Sequence, residues 1–156
     1  MKAKILSVLD EAAPALLSLK DDFFMIGASA MILSGVDIKE THDIDILTSF
    51  SDSQKLRQDW KDKIEINPTL KESHLFRSNF TRYNFNALDI EVMGELEVYK
   101  NENWSPLLIQ EFEEYQTKHL SIKIPTLREQ VRILQLFGRE KDLKRIDMIR
   151  KYISTI

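Results

Sequence analysis

Apolar residues recur at helical spacing near the start of the chain, at Ile5, Val8, Leu9, Ala12, Leu16 and Leu17. They predict an amphipathic helix over about residues 3–19, with Pro14 forcing a kink or an early break. Phe23-Phe24-Met25-Ile26 is a short continuous apolar run ending at Gly27, the pattern of a buried strand. Ala28 to Leu33 reads as a short helix stopped near Gly35. Asp43 to Thr48 opens on alternation, with Asp43 and Asp45 on one face and Ile44 and Ile46 on the other, as in a half-buried strand. Ser51 to Lys61 predicts a helix capped by Ser51 or Asp52, and Lys63 to Ile66 a strand ended by Pro68.

His74 to Phe85 is polar and aromatic and reads as extended. Leu88 to Met93 alternates again, with Asp89 and Glu91 on one face and Leu88, Ile90 and Val92 on the other, before Gly94. Pro106 to Glu114 predicts a short helix, and His119 to Ile124 a final strand ended by Pro125. Two helices follow over about 126–137 and 140–153, punctuated by Gly138.

Charge and composition narrow the function classes. The chain has 22 basic and 25 acidic residues among 156, a net charge of −3, so no basic excess points to duplex nucleic acid or to a membrane surface. Cysteine is absent, which excludes disulfides and thiolate metal sites. No apolar run approaches the roughly 20 residues that span a bilayer. The segment after Met1-Lys2-Ala3-Lys4 is interrupted by Asp10, Glu11 and Pro14, unlike a signal peptide, so a cytoplasmic location is expected. A chain of 156 residues is expected to form one domain.

The candidate chemistry lies at Gly27-Ala28-Ser29 and His42-Asp43-Ile44-Asp45. Asp-x-Asp alone carries little weight, because this acidic content yields roughly four such pairs by chance. Glu95-Leu96-Glu97 and Glu111-Phe112-Glu113 are of that kind. The setting separates Asp43 and Asp45 from them. On a strand their side chains share a face, about 6.6 Å apart along the backbone. Two carboxylates at about 4 Å repel by about 4 kcal/mol at an effective dielectric near 20, so they need a cation, a proton or strong hydrogen bonds. Mg²⁺ or Mn²⁺ suits such oxygen donors together with substrate phosphates. Asp89 or Glu91, on a second strand, would supply a third metal ligand and complete a two-metal site. Gly27 permits close backbone approach to phosphate, and the helix starting near Ala28 offers free N–H groups.

With these residues in place, the chain resembles the nucleotidyltransferase superfamily, and most of all its small stand-alone bacterial members with a DNA-polymerase-beta-like core. The matching text is Gly27-Ala28-Ser29-Ala30, Thr41 to Leu47, Ile90 to Glu95, and Lys123-Ile124-Pro125 before the C-terminal helices. The resemblance implies an α/β (α+β) fold with a central mixed sheet flanked by helices. It places the core at about 22–124 and a C-terminal helical segment at about 126–153. It also implies Asp43, Asp45 and Glu91 as catalytic metal ligands, Glu91 fitting the acid-apolar-Met-Gly context better than Asp89. The implied nucleotide-binding residues are Gly27, Ala28, Ser29 and Lys141. Ala28 stands where the family carries glycine or serine, so a hydroxyl contact to phosphate falls to Ser29.

The activity this implies is metal-dependent transfer of a nucleoside monophosphate from an NTP to a hydroxyl of a small-molecule or protein acceptor. A homodimer could build the cleft from two chains. The alternative is an inactive nucleotide-binding or protein-interaction member of the same fold, a regulatory or toxin–antitoxin-type partner. Three further sets of residues stay open between site and surface or core roles. His42, Arg77 and Arg82 could reach substrate, Arg139 could face the nucleotide, and Tyr83, Phe85, Trp104 and Tyr115 could line a pocket.

Overall fold

The computed structural model describes residues 1–68 and 72–156. In chain order the elements are α1 (Lys2–Leu17), β1 (Phe24–Ile26), α2 (Gly27–Leu33), β2 (Asp43–Thr48) and α3 (Phe50–Asp59). They are followed by β3 (Phe76–Asn84), β4 (Asp89–Lys100), β5 (Asn103–Pro106), β6 (Phe112–Gln116), β7 (Ser121–Pro125), α4 (Leu127–Phe137) and α5 (Glu140–Ile153). The strands form one mixed sheet in the order β3-β4-β2-β1-β7-β6, with β5 on the far half of β4. β2 runs parallel to β4 and antiparallel to β1, while β1 and β7 are parallel. None of the helices is long and apolar enough to cross a membrane among the described residues.

Alternation along the strands sorts side chains to two faces. Ile44 and Ile46 of β2 and Ile90 and Val92 of β4 point to one face and are buried with Ile5, Val8 and Leu9 of α1 and Leu56 of α3. On the opposite face, Ile26, Leu47 and Leu96 pack with Phe24, Phe76, Met93 and Phe137. Beside them, Met31 of α2 joins Leu134, Ile146 and Ile149 of α4 and α5 in a third apolar cluster.

Several expectations are corrected. α1 continues through Pro14 rather than breaking there. The cap of α3 is Ser49, whose hydroxyl accepts from the Asp52 amide; Asp52 is itself buried and accepts from the amides of Lys20 and Asp21. Lys63 to Ile66 is not a strand, because only Ile64 bridges to Tyr83 after a short 3₁₀ turn and Ile66 is exposed. Pro106 to Glu114 is not a helix: Pro106 ends β5 and Phe112 begins β6.

β4 also runs past Gly94 to Lys100. Gly94 stays inside the strand because α3 crosses close above it, where a Cβ would stand 2.4 Å from the Ser53 Oγ. Next to it, Glu95 takes a left-handed φ of 53° at an irregularity in the β3–β4 register. That bulge shifts the alternation by one residue and turns Leu96 to the same side as Met93.

Candidate active site

Asp43 and Asp45 lie on β2 because alternation there puts isoleucines into the core and acids on the other face. Glu91 is directly opposite Asp45 on the parallel neighbour β4, and Asp89 is opposite Asp43. Asp43, Asp45 and Glu91 each offer an oxygen within 4.8 Å of the others. Asp89 does not join that group, so of the two acids on β4 only Glu91 completes the cluster.

Gly27 closes the other side. Its φ of +77° follows directly from the end of β1, and a Cβ there would lie 2.7 Å from Asp45 Oδ2. The glycine is needed for the turn and for the approach of the acid together. Ala28 follows it and lines the cavity. Ser29 does not. Its hydroxyl is buried and donates to the Asp43 carbonyl at 2.7 Å, so it braces β2 and offers no hydroxyl to a phosphate.

The electrostatics are those of an under-compensated acid cluster. Burial, then the charges of Asp43 and Glu91, push the Asp45 carboxyl well above the ordinary range, with Arg145 opposing. Asp45 Oδ1 is buried with no hydrogen-bond partner among the described residues. Burial and the charge of Asp43 raise Glu91 as well, against two hydrogen bonds from Arg82. Arg82 sits opposite Glu91 on β3 and donates to Glu91 Oε1 from Nε at 3.1 Å and from Nη2 at 2.5 Å. Its third bond runs from Nη1 to Glu65 at 3.1 Å. The donor set is therefore all carboxylate oxygen with one buried orphan, which fits a hard divalent cation.

The cluster opens into a cavity of about 590 Å³ between the sheet and the C-terminal helices. Lys141 and Arg145, one turn apart on α5, both line it, and neither makes a salt bridge among the described residues. His42 and Glu40 stand at its rim, 3.8 Å apart. Arg139 is committed elsewhere: it binds Asp142 from Nε at 2.6 Å and from Nη2 at 3.0 Å, and also pairs with Glu72. Arg77 lines the cavity but pairs with Glu97 and lies over Trp104.

The aromatics singled out from sequence are not the ones that line the cavity. Tyr83 and Phe85 pack on Trp60 in the opposite core, Trp104 packs on Tyr99, and Tyr115 lies under Lys2. The lining aromatics are Phe76, Phe80 and Phe137. Phe80 was findable, because it shares strand parity with Arg82, whereas Tyr83 and Phe85 have the parity of the core.

Fold and site together define a nucleotidyltransferase. The structure is similar to a candidate nucleotidyltransferase from Thermotoga maritima (TM-score 0.74, 18% identity, 99% of this chain and 95% of that one). It is also similar to the lincosamide antibiotic adenylyltransferase LnuA with lincomycin bound (TM-score 0.58, 17% identity, 96% of each chain). A third similar structure is an antigenic nucleotidyltransferase-like protein from Paracoccidioides brasiliensis (TM-score 0.58, 16% identity, 94% of this chain and 75% of that one). Residues 4–102, which contain Gly27, Asp43, Asp45 and Glu91, match the family described as nucleotidyltransferase of unknown function (DUF6036), and the chain belongs to that family. No curated protein matches the chain.

Proposed function

We propose that this chain is a divalent-metal-dependent nucleotidyltransferase acting on an NTP and a hydroxyl acceptor, with residues 1–156 forming one domain. The observation that carries the reading is the convergence of Asp43, Asp45 and Glu91 within 4.8 Å, with Asp45 Oδ1 buried and without a hydrogen-bond partner among the described residues. The three carboxylates would hold Mg²⁺ or Mn²⁺. A cation held there lowers the pKa of an acceptor hydroxyl and offsets charge on the phosphates.

The remaining work falls to the chain itself. Gly27 keeps the space beside Asp45 open, and Ala28 forms the adjoining wall. Lys141 and Arg145 present two cations to the same cavity and would take the triphosphate tail. Asp89 stands outside the cluster and supports Glu91 only as a strand neighbour. In the transfer, the acceptor oxygen bonds to the α-phosphorus as the bond from that phosphorus to the β-phosphate oxygen breaks. Pyrophosphate leaves, and the hydroxyl proton passes to solvent or to a carboxylate of the cluster. A small-molecule acceptor is in keeping with the lincomycin-bound adenylyltransferase to which the structure is similar.

Titration calorimetry with each of the four common NTPs, with and without Mg²⁺, tests this. Metal-dependent binding of at least one NTP is expected; absence of binding by all four sinks the proposal. One observation favours a second reading, nucleotide binding without transfer: Arg82 already occupies one oxygen of the third acid. Under that reading, pyrophosphate release stays at background on every acceptor while nucleotide binding persists.

A further inference from the structure

We infer that Arg82 is a positioning residue for the metal site: the fork of its donors, and not its charge alone, holds the Glu91 carboxylate in place, and Glu65 anchors the arginine. This rests on the metal-dependent transferase reading and adds to it how the third ligand is kept in the cluster.

The three acids are not equally constrained. Asp43 and Asp45 have short side chains, and α2 packs against both: the Ser29 hydroxyl donates to the Asp43 carbonyl at 2.7 Å, and Gly27 lies against the Asp45 carboxylate. Glu91 comes from β4, is one methylene longer, and stands beside two like charges that favour its swinging away. Among the described residues, the hydrogen bonds to its carboxylate come from Arg82. A long acid that repulsion pushes outward needs such a tether if it is to keep an oxygen on an ion.

The tether is directional. Nε and Nη2 both donate to Oε1, at 3.1 and 2.5 Å, which leaves Oε2 without a donor among the described residues. Nη1 donates to Glu65 at 3.1 Å, and the Glu65 amide donates to the Arg82 carbonyl at 2.9 Å. Glu65 thus grips the arginine by side chain and by backbone. Its charge is also equal and opposite to that of the guanidinium, so the Glu65–Arg82 pair repels an incoming cation far less than a lone arginine would.

The same strand carries an internal control. Arg77 is likewise the register partner of a glutamate on β4, donates to that Glu97 at 2.7 Å and lines the same cavity. Glu97 does not belong to the acid cluster, and the Arg77 side chain is 53% exposed against 23% for Arg82. Of two cross-strand arginine–glutamate pairs, only one involves a candidate metal ligand.

The test titrates Mn²⁺ into each protein, alone and with a non-hydrolysable NTP, and reads the bound ion by electron paramagnetic resonance. Two variants destroy the fork without changing net charge: Arg82→Lys, and Glu65→Gln combined with Arg82→Gln. A lysine ammonium lacks the planar fork, and the double variant removes one charge of each sign. Each is expected to bind Mn²⁺ about 10-fold more weakly than the wild type. Arg77→Lys should stay within about twofold, as an exposed pair remote from the ligands should. Far-UV circular dichroism checks folding, and Arg82→Lys, the milder change, decides the matter if the double variant does not fold. Wild-type affinity in Arg82→Lys or in a folded double variant overturns the inference. So does tighter binding, which would make Arg82 a competitor of the ion, or an equal loss in Arg77→Lys, which would make the effect a general response of β3. A wild type that binds Mn²⁺ in neither condition overturns the metal-dependent reading and this inference with it; a wild type that binds beside variants that bind equally well overturns the inference alone.

Discussion

On one face of the sheet, Ile44, Ile46, Ile90 and Val92 are all at most 1% exposed beneath α1 and α3. One residue along the same two strands, the other face carries Asp43, Asp45 and Glu91, half-buried and mutually repelling. The same backbone thus supports a dry core and a strained acid cluster a pleat apart. The comparison teaches that the first face holds the second in place. The isoleucines fix β2 against β4 in register, and that register, not any attraction between the acids, brings Asp45 opposite Glu91.

The largest effect should come from removing an acid. Asp43→Asn or Asp45→Asn should cut pyrophosphate release by about 10²–10³-fold or more with the fold retained, as read by a coupled phosphate assay and circular dichroism. Retained turnover in both would break the contrast between the two faces. The next effect is on the core face: Ile90→Ala should cost about 2–5 kcal/mol by denaturant unfolding, because the residue is fully buried. Met93→Ala, on the cavity face and only half-buried, should cost less.

Mn²⁺ offers a sharper version of the contrast. At 100 times its dissociation constant it should stabilise the wild type by about 2.7 kcal/mol, read as a rise in melting temperature. The Asp45→Asn variant should lose that rise, and Ile90→Ala should keep it from a lower starting point.

The smallest effect concerns a buried acid outside the cavity that is well compensated. Glu129 is buried, which by itself raises its carboxyl, but the bonds from Arg132 and from the Gln110 amide outweigh burial and hold it below the usual range. A folded-state value lowered in this way adds stability above the ordinary Glu range of about 4.3. That contribution is lost as pH falls through the lowered value. Glu129→Gln should therefore be less stable than wild type near neutrality, and the gap should close only in acid below that range, followed by urea midpoints against pH.

Much of this was legible in the sequence wherever one short-range rule acted alone. Asp43 to Thr48 emerged with its own boundaries, because alternation between isoleucine and aspartate has a single reading. Gly138 ends α4 in the left-handed conformation expected of a helix-terminating glycine. The misses came where a distant partner decides the outcome. Ser29 reads as a phosphate contact until the Asp43 carbonyl is seen to claim it. Pro106 to Glu114 reads as helical until the edge of β4 recruits Asn103 to Pro106. Phe80 and Tyr83 are both aromatic residues of β3, and only the side of the sheet each faces separates cavity wall from core.

The left-handed Glu95 changes the frame in which β4 is read. Counted without interruption, every second residue after Met93 on the cavity side would be Glu95 and then Glu97. Two more negative charges would then line up beyond an already crowded cluster. The one-residue slip hands that side to Leu96 and sends the carboxylate of Glu97 to Arg77. A single change of phase thus divides one continuous strand into a half that concentrates charge on the cavity side and a half that turns an apolar residue there instead.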